Sequence, residues 1–103
     1  VDAEKRKAVL STVTAGLSGP AIKPIGLRCV HQASKAVRIP IVGLGGISNA
    51  TDAIEYILAG ASAIQVGTQN FIDPYAGKKI LEGMQEYLDR HGINHIWDIR
   101  GAV

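Results

Sequence analysis

Ile39-Pro40-Ile41-Val42-Gly43-Leu44-Gly45-Gly46 is an apolar run that ends in glycines, and Ala63-Ile64-Gln65-Val66-Gly67-Thr68 repeats the arrangement, with Gly67 standing 24 residues after Gly43. One helix's worth of chain lies between them. Apolar runs this short, bounded by glycine and without alternation, fit strands buried on both faces, so a parallel strand, helix, strand unit is predicted. Glycine at a strand end lets the backbone come close to a bulky anion. A following helix N-terminus adds unpaired N–H groups and a partial positive charge. The two loops therefore predict a phosphate site built from Gly45, Gly46, Gly67 and Thr68, with the Thr68 hydroxyl as a further donor.

Upstream, Lys7 to Thr14 carry Val9, Leu10 and Val13 among β-prone hydroxyl residues, which predicts an extended segment or one arm of a hairpin before the turn Gly16-Leu17-Ser18-Gly19-Pro20. From Pro20 onward Ile22, Ile25, Cys29, Val30, Ala33, Ala36 and Val37 recur with a helical period, predicting a helix over 22–37 with Ser18 as its cap. Between the glycine loops, Ser48 or Asn49 caps a helix whose inner face is Ile54, Ile57 and Leu58, and Gly60 ends it with a positive φ. After the second loop, Asp73-Pro74 reads as a cap and first helical residue, opening a helix to Arg90 with Ile80, Leu81, Met84, Tyr87 and Leu88 inward. His91-Gly92 stops it, and a final short turn or helix over 93–97 is expected to pack its apolar groups beneath the barrel.

At 103 residues, 47% hydrophobic and 19% charged, the composition is that of an ordinary globular chain. In a (β/α)8 barrel the loops after the last two strands commonly hold a phosphate, but a whole barrel takes roughly 250 residues, so this chain supplies about three of its eight units. The expectation is a single partial domain over 1–103, the C-terminal portion of such a barrel. Val1 opening inside the charged stretch Asp2 to Lys7 fits a segment of something longer. A net charge of +2 with no basic block and few aromatics argues against a nucleic-acid surface. The single cysteine excludes an internal disulfide, builds no metal site and suits a reducing cytoplasm. No apolar stretch approaches the ~18 residues that a membrane span requires.

Several features read more simply as structure than as chemistry. Gly43-x-Gly45 invites a dinucleotide-fold reading, but Ser48 stands where a third glycine belongs, and no acidic residue closes the next strand. Cys29 falls on the apolar face of its helix with no histidine beside it, as a small core residue does. Lys23 follows the Gly19 turn within reach of an anion, yet an exposed first-turn lysine has the same pattern, and it is not assigned to the site. His31, His91 and His95 lie away from both glycine loops. No catalytic residue is assigned.

Four stretches carry a resemblance: Gly16-Leu17-Ser18-Gly19-Pro20-Ala21-Ile22-Lys23-Pro24, then Gly45-Gly46-Ile47-Ser48, then Gly60-Ala61-Ser62-Ala63 with Val66-Gly67-Thr68, then Asn70-Phe71-Ile72-Asp73-Pro74. In order and spacing the whole chain resembles the C-terminal part of the class 1B dihydroorotate dehydrogenase catalytic subunit, the first stretch being the most specific. The resemblance implies an FMN-carrying (β/α)8 barrel that oxidises dihydroorotate to orotate in pyrimidine synthesis. It further implies a homodimer inside a heterotetramer, whose electron-transfer subunit holds FAD and a [2Fe-2S] cluster and delivers electrons to NAD. Gly19, Gly45, Gly46, Gly67 and Thr68 match positions that contact FMN in that family. The family's cysteine base, its flavin-contacting lysine and its orotate-binding asparagines belong to stretches upstream of Val1, and Cys29 has no functional counterpart there. The segment by itself is expected to be inactive. A self-associating, non-enzymatic phosphate-binding module is the alternative. A different phosphate-binding barrel, from an indole or histidine pathway, would share the Gly-Gly and Gly-Thr pairs but leave Leu17-Ser18-Gly19-Pro20 as coincidence.

Overall fold

β1 (Val42–Leu44) and β2 (Ala63–Gln65) pair in parallel, with Gly43 opposite Ile64, in a computed structural model that describes all 103 residues. Helix α1 (Lys23–Ala36) precedes β1, α2 (Ala50–Leu58) crosses between the strands, and α3 (Gln69–Ile72) and α4 (Ala76–His91) follow β2. Short 3-10 turns, Pro20–Ile22 and Ile96–Ile99, lead into α1 and close the chain. β1 starts later than the apolar run because Pro40 has no N–H to give a ladder, and the Ile41 carbonyl is taken by the Ser62 N–H at 2.7 Å.

The core is centred on α2, where Ala53, Tyr56 and Ile57 are buried together with Val30 of α1, Ile47, Ala61 and Ile80 of α4. Ile64, Met84, Ile96 and Ile99 pack against this cluster. The helices cover only one face of the two-stranded sheet. On the other face Val42 and Leu44 are 55% and 54% exposed, so the expectation of strands buried on both sides holds for one side only. A radius of gyration of 16.6 Å, with extents of 58 × 34 × 17 Å, exceeds the roughly 13 Å of a closed domain this long. The chain is an open α/β layer, consistent with part of a barrel.

Helix ends follow sequence chemistry at several points. Asn49, not Ser48, caps α2, its Oδ1 accepting from the Asp52 N–H at 3.0 Å. Gly92 ends α4 in the left-handed region, at φ 63°. Ser18 caps nothing, since Gly19 stands at the cap position of the first turn and makes no side-chain bond. At Asp73-Pro74 the helix does not begin: the Asp73 carboxylate instead accepts from the Tyr75 N–H and from Lys79 Nζ, holding a turn that delays α4 to Ala76. The preceding single-turn α3 has no distinctive sequence signal.

Three further expectations are corrected. Residues 1–18 form no hairpin; their one antiparallel bridge joins Asp2 to Lys7, and Val9, Leu10 and Val13 remain exposed. Cys29 is exposed, not in the core. The reason is Gly26: α1 meets β1 through this glycine, because the Tyr56 hydroxyl and the Leu44 carbonyl fill the space where a side chain would stand. That contact turns Ile25 and Cys29 outward. Leu81 is exposed for a similar reason, since α4 approaches α2 through Gly83, whose added Cβ would lie 2.6 Å from that of Ala50.

Candidate functional site

All five residues singled out in the sequence lie on one cavity of about 310 Å3 at the C-terminal ends of the two strands. Gly45 and Gly46 come directly after β1, Gly67 and Thr68 one residue beyond the end of β2, and Gly19 joins from the turn that leads into α1. Leu17, Ile22 and Leu44 supply the apolar wall, while Ser18, Ser48 and Gln65 bring polar side chains that the sequence reading had not assigned. Once Asn49 takes the capping role, the Ser48 hydroxyl is left to the cavity, a consequence of cap choice that spacing alone leaves open.

Backbone conformation explains the glycines individually. Gly45 has φ +125° and Gly46 φ +68°, values that side chains disfavour. A Cβ on Gly46 would lie 2.8 Å from the Lys23 nitrogen and 2.9 Å from the Gly19 carbonyl oxygen, so this glycine allows the first loop to touch the Gly19 turn. Gly67 is different: a Cβ there meets nothing within 4 Å. Its space is open, on a residue that lines the cavity.

The N–H groups of Gly46, Ile47, Gly67 and Thr68 find no acceptor in the chain. They sit on cavity-lining residues and are among several N–H groups there without a partner, a supply that an anion's oxygens can draw on. Their source differs from the expectation in one respect. At the start of α2, Asp52 Oδ2 accepts from the Ser48 N–H at 2.9 Å and Asn49 Oδ1 accepts from the Asp52 N–H, and no residue of α2 lines the cavity. The donors at the cavity therefore belong to the loops that follow the two strands, not to the α2 N-terminus.

No charged side chain lines the cavity. Lys23 is instead paired with Asp52 at 2.6 Å and Glu55 at 2.8 Å, and hydrogen bonds to those two carboxylates raise its pKa from 10.5 to about 12. Burial pushes the Asp52 pKa up, but Lys23 and the Ser48 and Asn49 N–H groups outweigh it and hold the carboxyl below its ordinary 3.8. Asp52 thereby ties the loop after β1 to the start of α1. Beneath the same loop, the fully buried Tyr56 donates its hydroxyl to the Gly45 carbonyl at 2.7 Å. Burial, with the Cys29 thiol as a lesser cause, raises the Tyr56 pKa above 10.0, so the hydroxyl stays a donor at neutral pH. The sequence reading missed both Asp52 and Tyr56, although the Asn49-x-x-Asp52 spacing is that of a first-turn acid three residues after a cap.

Parallel strands whose glycine-ended loops converge on one cavity, with helices layered on one face, define a segment of an α/β fold of the (β/α) barrel type. The similarities to known proteins make this specific. The family profile described as "Dihydroorotate dehydrogenase" matches residues 1–88, and the chain belongs to that family. It is 57% identical over 103 residues to the dihydroorotate dehydrogenase B (NAD(+)) catalytic subunit of Parabacteroides distasonis, and 59% identical to that of Phocaeicola vulgatus. All of the chain aligns with each, covering 34% of either relative, so it spans about a third of their length. Among solved structures, a DHODH from Eimeria tenella crystallised with ferulenol superposes with a TM-score of 0.80 at 28% identity, over 90% of this chain and 27% of that one. The ligand-free form gives 0.81 at 32%, over 86% and 25%. No helix here is long and apolar enough to cross a membrane.

Proposed function

We propose that residues 1–103 act as the C-terminal, cofactor-anchoring part of a dihydroorotate dehydrogenase catalytic subunit, a single partial domain whose task is to hold the phosphate of FMN. The observation that carries this reading is the convergence of Gly19, Gly45, Gly46, Gly67 and Thr68 on one cavity, where the N–H groups of Gly46, Ile47, Gly67 and Thr68 are among those without a partner in the chain. These residues fit the group: glycines leave room for close approach, and the donors are unpaired where a dianion would need them. Gly45, Gly46, Gly67 and Thr68 hold the phosphate, while Gly19 closes the cavity from the α1 side. FMN bound there supplies hydride acceptance from dihydroorotate, giving orotate, and this segment fixes the cofactor's position relative to substrate. Proton abstraction falls to residues outside the segment, which alone is inactive.

The name of the P. distasonis relative, an NAD(+)-dependent catalytic subunit, supports a partner that passes electrons onward. The proposed assembly is a homodimer within a heterotetramer, the electron-transfer subunit carrying FAD and a [2Fe-2S] cluster, acting in the cytoplasm on NAD. Neither a membrane nor a nucleic acid has a part in it.

Two substitutions in the full-length protein test the phosphate site. Gly67→Ala adds a methyl group into open space, so the thermal unfolding midpoint of the apoprotein should not move, whereas FMN binding should weaken by roughly 1 to 2 kcal/mol from crowding against the ligand. Thr68→Ala should weaken FMN by about 1 kcal/mol through loss of one hydroxyl donor. Calorimetric titration with FMN reads both. Wild-type affinity in the two variants would remove the cavity from the proposal.

The open strand face favours a second reading, in which the segment associates with copies of itself as a phosphate-binding module, since Val42 and Leu44 need cover. A native mass spectrum of the 103 residues with FMN separates the two. A discrete oligomer with stoichiometric FMN supports the module, and a flavin-free or ill-defined species supports the dehydrogenase segment.

A further inference from the structure

We infer that Tyr56 is a positioning residue for the anion cradle: its hydroxyl, by holding the Gly45 carbonyl, turns the Gly46 N–H toward the ligand's phosphate. The inference rests on the phosphate reading above and deepens it. The Tyr56 hydroxyl donates to the Gly45 oxygen at 2.7 Å, and more weakly to the Leu44 oxygen at 3.5 Å. The chain has no cis peptide, so the Gly45–Gly46 unit is planar and trans, its carbonyl and N–H pointing in opposite directions. Fixing the carbonyl toward the buried hydroxyl therefore directs the Gly46 N–H away from the core. Gly46 lines the cavity, and its N–H has no acceptor within the chain.

Two glycines flanking this peptide make it mobile unless something holds it. Gly45 at φ +125° and Gly46 at φ +68° lie in conformations from which a glycine pair can rotate with little steric resistance, and the peptide plane needs an anchor. The surroundings leave room for tyrosine in particular. A Cβ on Gly26 would overlap the Tyr56 hydroxyl, and one on Gly43 would lie 2.6 Å from Tyr56 Cδ1. Two elements thus reserve space for this ring and its oxygen. A ring needed only for packing would require room beside Gly43 but none for a hydroxyl beside Gly26.

The test compares FMN with riboflavin, which has the same ring system but no phosphate, on the full-length apoprotein and its Tyr56→Phe variant. The substitution keeps the ring and deletes the oxygen. FMN affinity should fall about fivefold, the scale of one buried hydrogen bond, while riboflavin affinity stays within about twofold. The preference for FMN over riboflavin therefore narrows. Equal loss for both ligands, or loss of riboflavin binding through misfolding, would make the hydroxyl a structural prop and overturn the inference. An unchanged preference would do the same while leaving the phosphate site intact. A wild-type protein that shows no preference for FMN removes the phosphate reading and this inference together. One measurement needs no variant: in isotope-labelled wild-type protein the Gly46 amide proton should shift downfield with FMN and not with riboflavin, and a resonance unmoved by FMN overturns the proposal.

Discussion

Gly46→Val in the full-length protein is expected to leave it without bound flavin and with a lowered unfolding temperature. Valine at φ +68° is forced into a conformation that costs roughly 1 to 2 kcal/mol for an ordinary residue and more for a β-branched one. Its Cβ would also press on the Lys23 nitrogen and the Gly19 carbonyl, both backbone atoms that cannot swing aside as a side chain does. The loop after β1 must then part from the Gly19 turn, and the cavity loses two of its three sides at once. FMN retention through gel filtration should drop from stoichiometric to undetectable. The contrast with Gly67→Ala is what makes the result informative, since that variant adds bulk in open space and should keep the apoprotein's stability. If Gly46→Val purifies with a full complement of FMN, the phosphate does not lie at this loop.

The parallel pair was readable in the sequence because each apolar run stops at glycine, and Gly45, Gly46, Gly67 and Thr68 were readable for the same reason, while Gly19 came only from the family resemblance. Glycine is informative where the backbone must come close to something. What it comes close to is not written beside it. Gly26 and Gly43 make room for Tyr56, Gly83 for Ala50, and Gly46 for the Gly19–Lys23 backbone, and each of these partners is remote in sequence. Helical periodicity misjudged Ile25, Cys29 and Leu81 on this account: α1 and α4 dock through their glycines, which a search for apolar residues counts as gaps. Asp73-Pro74 misled in another way. An aspartate before proline caps a helix or closes a turn with the same side-chain oxygen, and here Lys79 and the Tyr75 N–H hold the turn.

Strand burial shows the limit of local pattern most clearly. Val42 and Leu44 have the composition of a strand covered on both faces, yet these 103 residues cover only the face that carries Gly43 and Ile64. The apolar pattern along β1 therefore calls for partners that these residues do not supply. Under the dehydrogenase reading those are the side chains filling a barrel interior. The glycine loops lie at the C-terminal ends of the same strands, where the proposed cofactor would meet them.

Asp52→Ala is expected to cost about 3 kcal/mol of folding stability and to weaken flavin binding along with it. The Asp52 carboxylate is buried and joins two things, Lys23 Nζ at 2.6 Å and the Ser48 N–H at 2.9 Å, while the Asp52 N–H that Asn49 caps is kept in the variant. Removing one partner of a buried pair typically costs about 3 to 5 kcal/mol because the other charge is stranded. The lower figure applies because Lys23 keeps Glu55 at 2.8 Å. The dependence on pH has a definite sign on both sides. Asp52 titrates below its ordinary 3.8 in the folded chain, so its contribution is complete above that pH and is lost as pH falls through the folded value. Lys23 titrates at about 12 instead of 10.5, so its contribution is complete below 10.5 and is lost as pH rises through about 12. Urea unfolding of wild type and variant should therefore differ most between these limits, the gap narrowing in acid once Asp52 is protonated in both states. A gap that persists undiminished below the folded Asp52 pKa would mean that packing, not charge, is what Asp52 contributes. Flavin affinity supplies the second readout. With the Ser48 N–H released and Lys23 swinging toward Glu55, the loop after β1 is no longer tied to the start of α1, and the Gly46 and Ile47 donors lose their common orientation before the ligand arrives.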